Sequence, residues 1–193
     1  YSKGIINRFK SYERFLHSYP EHRGNIMFMQ IAPTSRGEVK QYQKIRHNLE
    51  AEAGHINGAY SDFDWQPVRY LNKSFSRQIL SGFFRRSRIG LVTPFRDGMN
   101  LVAKEFVAAQ DIDDPGVLIL SRFAGAAEEM DGALIVNPYD LDEMADAMNI
   151  ALRMDLSERR SRWVRMIDQL QEYDINRWTN NCVSAIEKFV PYP

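Results

Sequence analysis

One cysteine, Cys182, is all that 193 residues contain, so the chain can close no disulfide within itself and build no thiolate metal cluster. That scarcity points to a reducing, cytoplasmic setting. An excess of charge is lacking too: 25 Lys and Arg balance 25 Asp and Glu, leaving no overall field to draw the chain onto nucleic acid or an anionic membrane. Any anion must be held by local groups. No apolar run nears the roughly 20 residues of a membrane span, no secretory leader opens the chain at Tyr1, and neither repeats nor low-complexity stretches occur. His17, His22, His47 and His55 lack metal-ligand spacing and read as surface residues. The absence of H-E-x-x-H and G-x-S-x-G patterns argues against zinc-protease and hydrolase chemistry.

What is present is a regular alternation. Short apolar runs at 26–31, 68–71, 89–93, 117–120 and 133–136 are predicted strands, and between them amphipathic stretches at 5–18, 38–59, 76–84, 99–110 and 141–154 are predicted helices. Such alternation implies an α/β fold, a Rossmann-like parallel sheet flanked by helices. After residue 156 the strands stop. Two helical stretches, 157–171 and 175–189, carry Trp163, Tyr173, Trp178 and Phe189, with Ser157 as the expected cap of a basic first turn. The chain therefore divides into a Rossmann-like domain, 1–156, and a C-terminal helical tail, 157–193. Aromatic surface on the tail is expected to pack partly on this domain and partly on another.

The most informative segment is Asp97-Gly98-Met99-Asn100-Leu101-Val102-Ala103-Lys104-Glu105. It follows the strand-like Ile89-Gly90-Leu91-Val92-Thr93, so the turn from Pro94 to Gly98 falls at the carboxyl end of a parallel strand, where open α/β sheets bind ligands. The amides that open the next helix favour a diphosphate or another electron-rich group. Asp97 precedes those amides and Glu105 follows two turns later, which suits a nucleotide sugar: one carboxylate for hexose hydroxyls, the other for a ribose. Taken alone, the same residues also fit a helix N-cap, a plain turn and a solvated Lys-Glu pair.

Three further segments invite a second reading. Lys3, in Tyr1-Ser2-Lys3-Gly4, sits at the wrong end of a helix for a cation, which a ligand phosphate would correct; a solvated lysine at a frayed terminus behind a Ser2 cap fits as well. In Ala32-Pro33-Thr34-Ser35-Arg36-Gly37, Arg36 suits a bidentate phosphate contact helped by Thr34 and Ser35, whose hydroxyls equally suit a cap. The small residues of Ser121-Arg122-Phe123-Ala124-Gly125-Ala126-Ala127-Glu128 allow close approach of a ligand, of a neighbouring domain or simply of packed backbone.

These blocks, with Gln30-Ile31, Leu91-Val92-Thr93-Pro94, Arg96 and Leu134-Ile135-Val136-Asn137-Pro138-Tyr139, together resemble the C-terminal half of the bacterial trehalose-6-phosphate synthases. That family, glycosyltransferase family 20, comprises retaining enzymes of two-domain GT-B architecture. The resemblance implies transfer of glucose from UDP-glucose to glucose 6-phosphate, with no cofactor and no metal. It assigns Lys3 to the departing diphosphate, Arg36 to the acceptor phosphate, Phe75 to the base, Asp97 to the donor glucose, the amides from Gly98 to Val102 to sugar and diphosphate, and Glu105 to the ribose. Met99, Asn100, Leu101, Val102, Ala103 and Lys104 complete the donor-binding block. It further implies a homo-oligomer and an N-terminal Rossmann-like domain that these residues do not include, so the chain alone is expected to bind donor without turnover. Two alternatives stay open: a nucleotide-sugar-binding regulatory module without catalysis, and a GT-B glucosyltransferase with another acceptor.

Overall fold

The computed structural model describes residues 2–33 and 40–189. Tyr1, Thr34, Ser35, Arg36, Gly37 and the side chain of Phe189 lie outside the described residues. Five strands and seven α-helices alternate among them: α1 Ile5–Ser18, β1 Phe28–Ile31, α2 Lys40–Tyr60, β2 Val68–Leu71, α3 Arg77–Arg86, β3 Ile89–Val92, α4 Leu101–Ala109, β4 Val117–Ser121, β5 Leu134–Val136, α5 Leu141–Arg153, α6 Leu156–Glu172 and α7 Ile175–Phe189. The strands pair only in parallel, β1 with β2, and β3, β4 and β5 in that order, with Ile89 opposite Val117 and Ile119 opposite Leu134. The expected α/β class is the observed one. Its sheet, however, is hydrogen-bonded in two pieces among the described residues, joined by side chains rather than by a backbone ladder.

β4 explains the layering. All five of its residues are buried, and because side chains alternate across a strand, Val117 and Ile119 enter one core while Leu118 and Leu120 enter another. The first core collects Phe9, Tyr12 and Phe15 of α1, Leu49 and Ile56 of α2, Val68 of β2 and Met144 and Met148 of α5. Phe9 meets Phe28 and Tyr70 edge-on, at 5.5 and 6.2 Å between centroids, which ties the two-stranded sheet to the same cluster. The second core joins Val92 to Phe106 and Val107 of α4 and Met166 of α6. β3 and β4 are thus held between α1 and α5 on one face and α4 and α6 on the other, with the loops beyond their carboxyl ends left open.

The C-terminal helices differ from the expected pattern at their entry. Asp155, not Ser157, caps α6 by accepting the Glu158 amide, and Leu156 is already helical. α6 then lies on α4: Trp163 donates its indole N–H to the Val107 carbonyl at 2.9 Å, and Arg162 reaches the Gly132 carbonyl. α7 leaves Ile175, Trp178, Val183 and Ile186 exposed.

Candidate nucleotide-sugar site

α1 begins abruptly because Gly4 adopts a left-handed conformation, φ 64°, that an L side chain rarely takes. A Cβ there would also stand 2.3 Å from the Thr93 carbonyl oxygen. Gly4 is therefore the helix cap, in place of the expected Ser2, whose carbonyl instead accepts the Phe95 amide at 2.8 Å. This seam presses residues 2–4 onto the end of β3. Lys3, just outside the helix, consequently reaches across 94 positions of sequence to place Nζ 2.6 Å from Oδ2 of Asp97.

Asp97 is not a helix cap either. Asn100 caps α4, with φ 76°, accepting the Ala103 amide on its side-chain oxygen at 3.0 Å and donating its amide to Asp97 Oδ2 at 3.1 Å. α4 starts at Leu101, two residues later than its apolar pattern suggests. Asn100 satisfies the third amide of the helix, and the helical ladder provides no partner for those of Leu101 and Val102. Met99, Leu101 and Val102 expose about half of their surface, 47, 59 and 46%, so the start of α4 lies at the protein surface. Gly98 has open space where a side chain would stand, whereas Ala103 is fully buried against the core.

A second loop clamps this segment. The Asp97 amide donates to the Phe123 carbonyl, the Gly125 amide to the Asp97 carbonyl at 2.9 Å and the Ala126 amide to the Met99 carbonyl at 2.8 Å. Any Cβ on Gly125 would stand 2.2 Å from the Gly98 carbonyl oxygen. Backbone packing, one of the readings open for 121–128, is realised here: these small residues position Asp97 to Met99. The sequence signalled their smallness but not their target. Beside them Phe95 stacks on Tyr139 at 4.6 Å, and Phe123 meets Tyr139 edge-on.

The remaining candidates are more dispersed. Lys104 pairs with Glu129, while Glu105 stands exposed on α4. Phe75 lies on the loop between β2 and α3, against Phe83 at 5.7 Å and under Lys73 Nζ at 5.0 Å, outside the hydrogen-bonded group of Lys3, Asp97 and Asn100. Arg36 falls outside the described residues. Chemically, the centre of the site is one exposed cation, one carboxylate and a helix N-terminus at the mouth of β3. That set can hold a group bearing both hydroxyls and negative charge.

Parallel sheets between helices with such a mouth match one part of the GT-B glycosyltransferase fold, as the comparisons with known proteins show. The model of glycosyltransferase family 20 matches residues 1–188, and the chain belongs to that family. It is 58% identical over 191 residues to the trehalose-6-phosphate synthases of Salmonella arizonae and Salmonella typhi, a match covering 99% of this chain and 40% of each relative. Among solved structures, an E. coli trehalose-6-phosphate structure bound with UDP-2-fluoro glucose superposes with a TM-score of 0.94 at 57% identity, over 100% of this chain and 43% of that one. An α,α-trehalose-phosphate synthase (UDP-forming) from Burkholderia xenovorans in complex with glucose 6-phosphate gives 0.93 at 50%, over 97% and 41%. The chain thus spans about 40% of the length of the relatives it matches. Among the described residues no helix is long and apolar enough to cross a membrane.

Proposed function

We propose that this chain is the donor-binding part of a retaining glucosyltransferase that moves glucose from UDP-glucose to glucose 6-phosphate, giving trehalose 6-phosphate and UDP. The observation that carries the reading is the meeting of Lys3 and Asp97 at the open start of α4. Without donor, the ammonium rests on the carboxylate. With donor, Lys3 turns to the diphosphate and Asp97 is released to accept hydroxyls of the glucose, the leaving charge being shared with the Leu101 and Val102 amides. Breaking the sugar–phosphate bond loads negative charge on UDP, so groups fixed before the reaction lower the barrier without reorganising. Such fixed positive groups can replace a metal. Glu105 takes the ribose, Phe75 the base, and Arg36 the acceptor phosphate. By resemblance to the family, the acceptor attacks from the face the diphosphate leaves, and the diphosphate takes its proton, which preserves the anomeric configuration.

Turnover needs a second Rossmann-like domain for most acceptor contacts. We assign the exposed stripe of α7, Ile175, Trp178, Val183 and Ile186, to that domain, with α6 as its anchor on residues 1–156. The intact enzyme is cytoplasmic and homo-oligomeric in this reading. Calorimetric titration of the chain with UDP and UDP-glucose tests it: both bind, and Asp97→Ala erases the advantage of the sugar nucleotide while keeping UDP. Loss of UDP affinity with sugar discrimination intact would overturn the role of Asp97. Full UDP release from these 193 residues alone, on adding glucose 6-phosphate, would overturn the need for a second domain.

A further inference from the structure

Arg8, in the first turn of α1, takes no part in the site as described above. Helical side chains lean toward the N-terminus, which carries its guanidinium back to the segment holding Lys3. There Nη2 donates to the Lys3 carbonyl at 2.6 Å and Nη1 to Gln30 Oε1 at 3.1 Å. Gln30, buried near the end of β1, is itself held by donating to the Ile31 carbonyl at 3.0 Å. Arg8 Nε is shielded from solvent and has no hydrogen-bond partner among the described residues.

The placement is electrostatically costly on two counts. A cation at a helix N-terminus opposes the helix dipole, and burial pushes the guanidinium down to about 10 from its ordinary 12.5. It nevertheless stays charged at neutral pH, and its hydrogen-bond acceptors are a carbonyl and a carboxamide, both neutral. A planar fork that grips two segments is something a lysine cannot reproduce. One segment carries Lys3; the other, the end of β1, leads toward Arg36.

We propose that Arg8 is a positioning residue for phosphate recognition: it fixes the backbone of Lys3 against the end of β1, and the bound phosphates balance its charge. This rests on the nucleotide-sugar reading of the site and adds a group which that reading leaves unused. With the Lys3 carbonyl held by Arg8 and the preceding Ser2 carbonyl by the Phe95 amide, only the lysine stem moves when Nζ leaves Asp97. The effect is specific to phosphate. A ligand lacking it gains nothing from Arg8.

The test compares UDP with uridine, using calorimetry for the first and ligand-observed NMR for the second, on the 193-residue chain and its Arg8→Lys, Arg8→Met and Gln30→Glu variants, with urea unfolding alongside. UDP affinity is expected to fall by about tenfold or more in both Arg8 variants while uridine affinity holds. Gln30→Glu gives Arg8 a carboxylate in advance but forfeits the donation to the Ile31 carbonyl, so it is expected to leave the urea midpoint little changed while weakening UDP severalfold. Equal losses for UDP and uridine in Arg8→Lys would overturn the inference, as would wild-type UDP affinity in Gln30→Glu. If Arg8→Met does not fold, the other two variants decide. Failure of the unsubstituted chain to bind UDP sinks the underlying site reading and this inference together, whereas UDP binding that ignores all three substitutions sinks the inference alone.

Discussion

Two ion pairs in this molecule share a length and little else. Lys3 meets Asp97 at 2.6 Å and Arg159 meets Asp114 at 2.6 Å. In the first, the lysine side chain is more than half exposed and its carboxylate faces an open helix N-terminus. In the second, the arginine is 7% exposed, also donates to the Pro115 carbonyl, and locks α6 to the loop before β4. Distance alone does not separate a site from a staple. What does is what each cation would lose by leaving: the Lys3 side chain is more than half exposed and solvent can replace its partner, whereas Arg159 would abandon a buried carbonyl with nothing to replace it.

That contrast can be broken at several points, beginning with the largest effect. Gly125→Val forces the Gly98 carbonyl away from a Cβ that would stand 2.2 Å from it. Moving that carbonyl shifts the turn and the α4 amides that would hold the diphosphate, and hydrogen bonds to charged groups are worth about 1.5–3 kcal/mol, so UDP-glucose binding should weaken by about tenfold or more in calorimetry, while a retained two-state urea transition shows that the fold survives. Arg159→Met acts on the other pair. It should cost about 2 kcal/mol of stability, the scale of charge-assisted hydrogen bonds lost from a buried position, read as a lower urea midpoint with UDP affinity unchanged. If instead it weakened UDP and spared stability, the staple and the site would have been assigned the wrong way round.

Smaller effects sharpen the contrast. Asp97→Asn releases Lys3 from a half-exposed pair, an interaction worth roughly 0.5 to 1 kcal/mol, so UDP should bind about two- to fivefold tighter even as the preference for UDP-glucose disappears. Unchanged or weaker UDP binding would mean that Lys3 is not held back by Asp97. At Asp114, hydrogen bonding from Arg159, with the attraction of Arg88, holds the carboxyl below its ordinary range against a desolvation push upward. A depressed folded value means that stability is present above the unfolded value and lost as pH falls through the folded one. Asp114→Asn should therefore be roughly a few tenths of a kcal/mol less stable at neutral pH; the gap should begin to shrink below about pH 4, the unfolded value, and close only once the pH is below the depressed folded value. A gap that persists in acid would locate the effect in packing rather than charge.

The expected helix at 5–18 is α1 as observed, and the strand at 68–71 is β2, because periodicity is a local property and these segments bury one face or both. Caps proved less legible. Asp155-Leu156-Ser157 offers two residues able to cap α6, and only the path of the chain selects Asp155. Ser2 precedes α1 with a capping side chain, yet the close approach to Thr93 requires Gly4 in the left-handed region instead. Arg8 and Arg159 read as ordinary charged helix positions, since a sequence does not show which arginine is covered by a neighbouring element.

Order and chemistry along the chain were enough to establish alternating strands and helices, a parallel arrangement, and two carboxylates flanking the start of α4 behind a strand mouth. Tertiary structure alone decided that Lys3 would lie against Asp97, that residues 123–126 would clamp the turn, and that Arg8 would bridge α1 to β1. The reason is one of range. Propensity and amphipathic period act over a few residues, whereas a hydrogen bond across 94 positions needs sub-ångström agreement between elements whose separation is set by how the whole core packs.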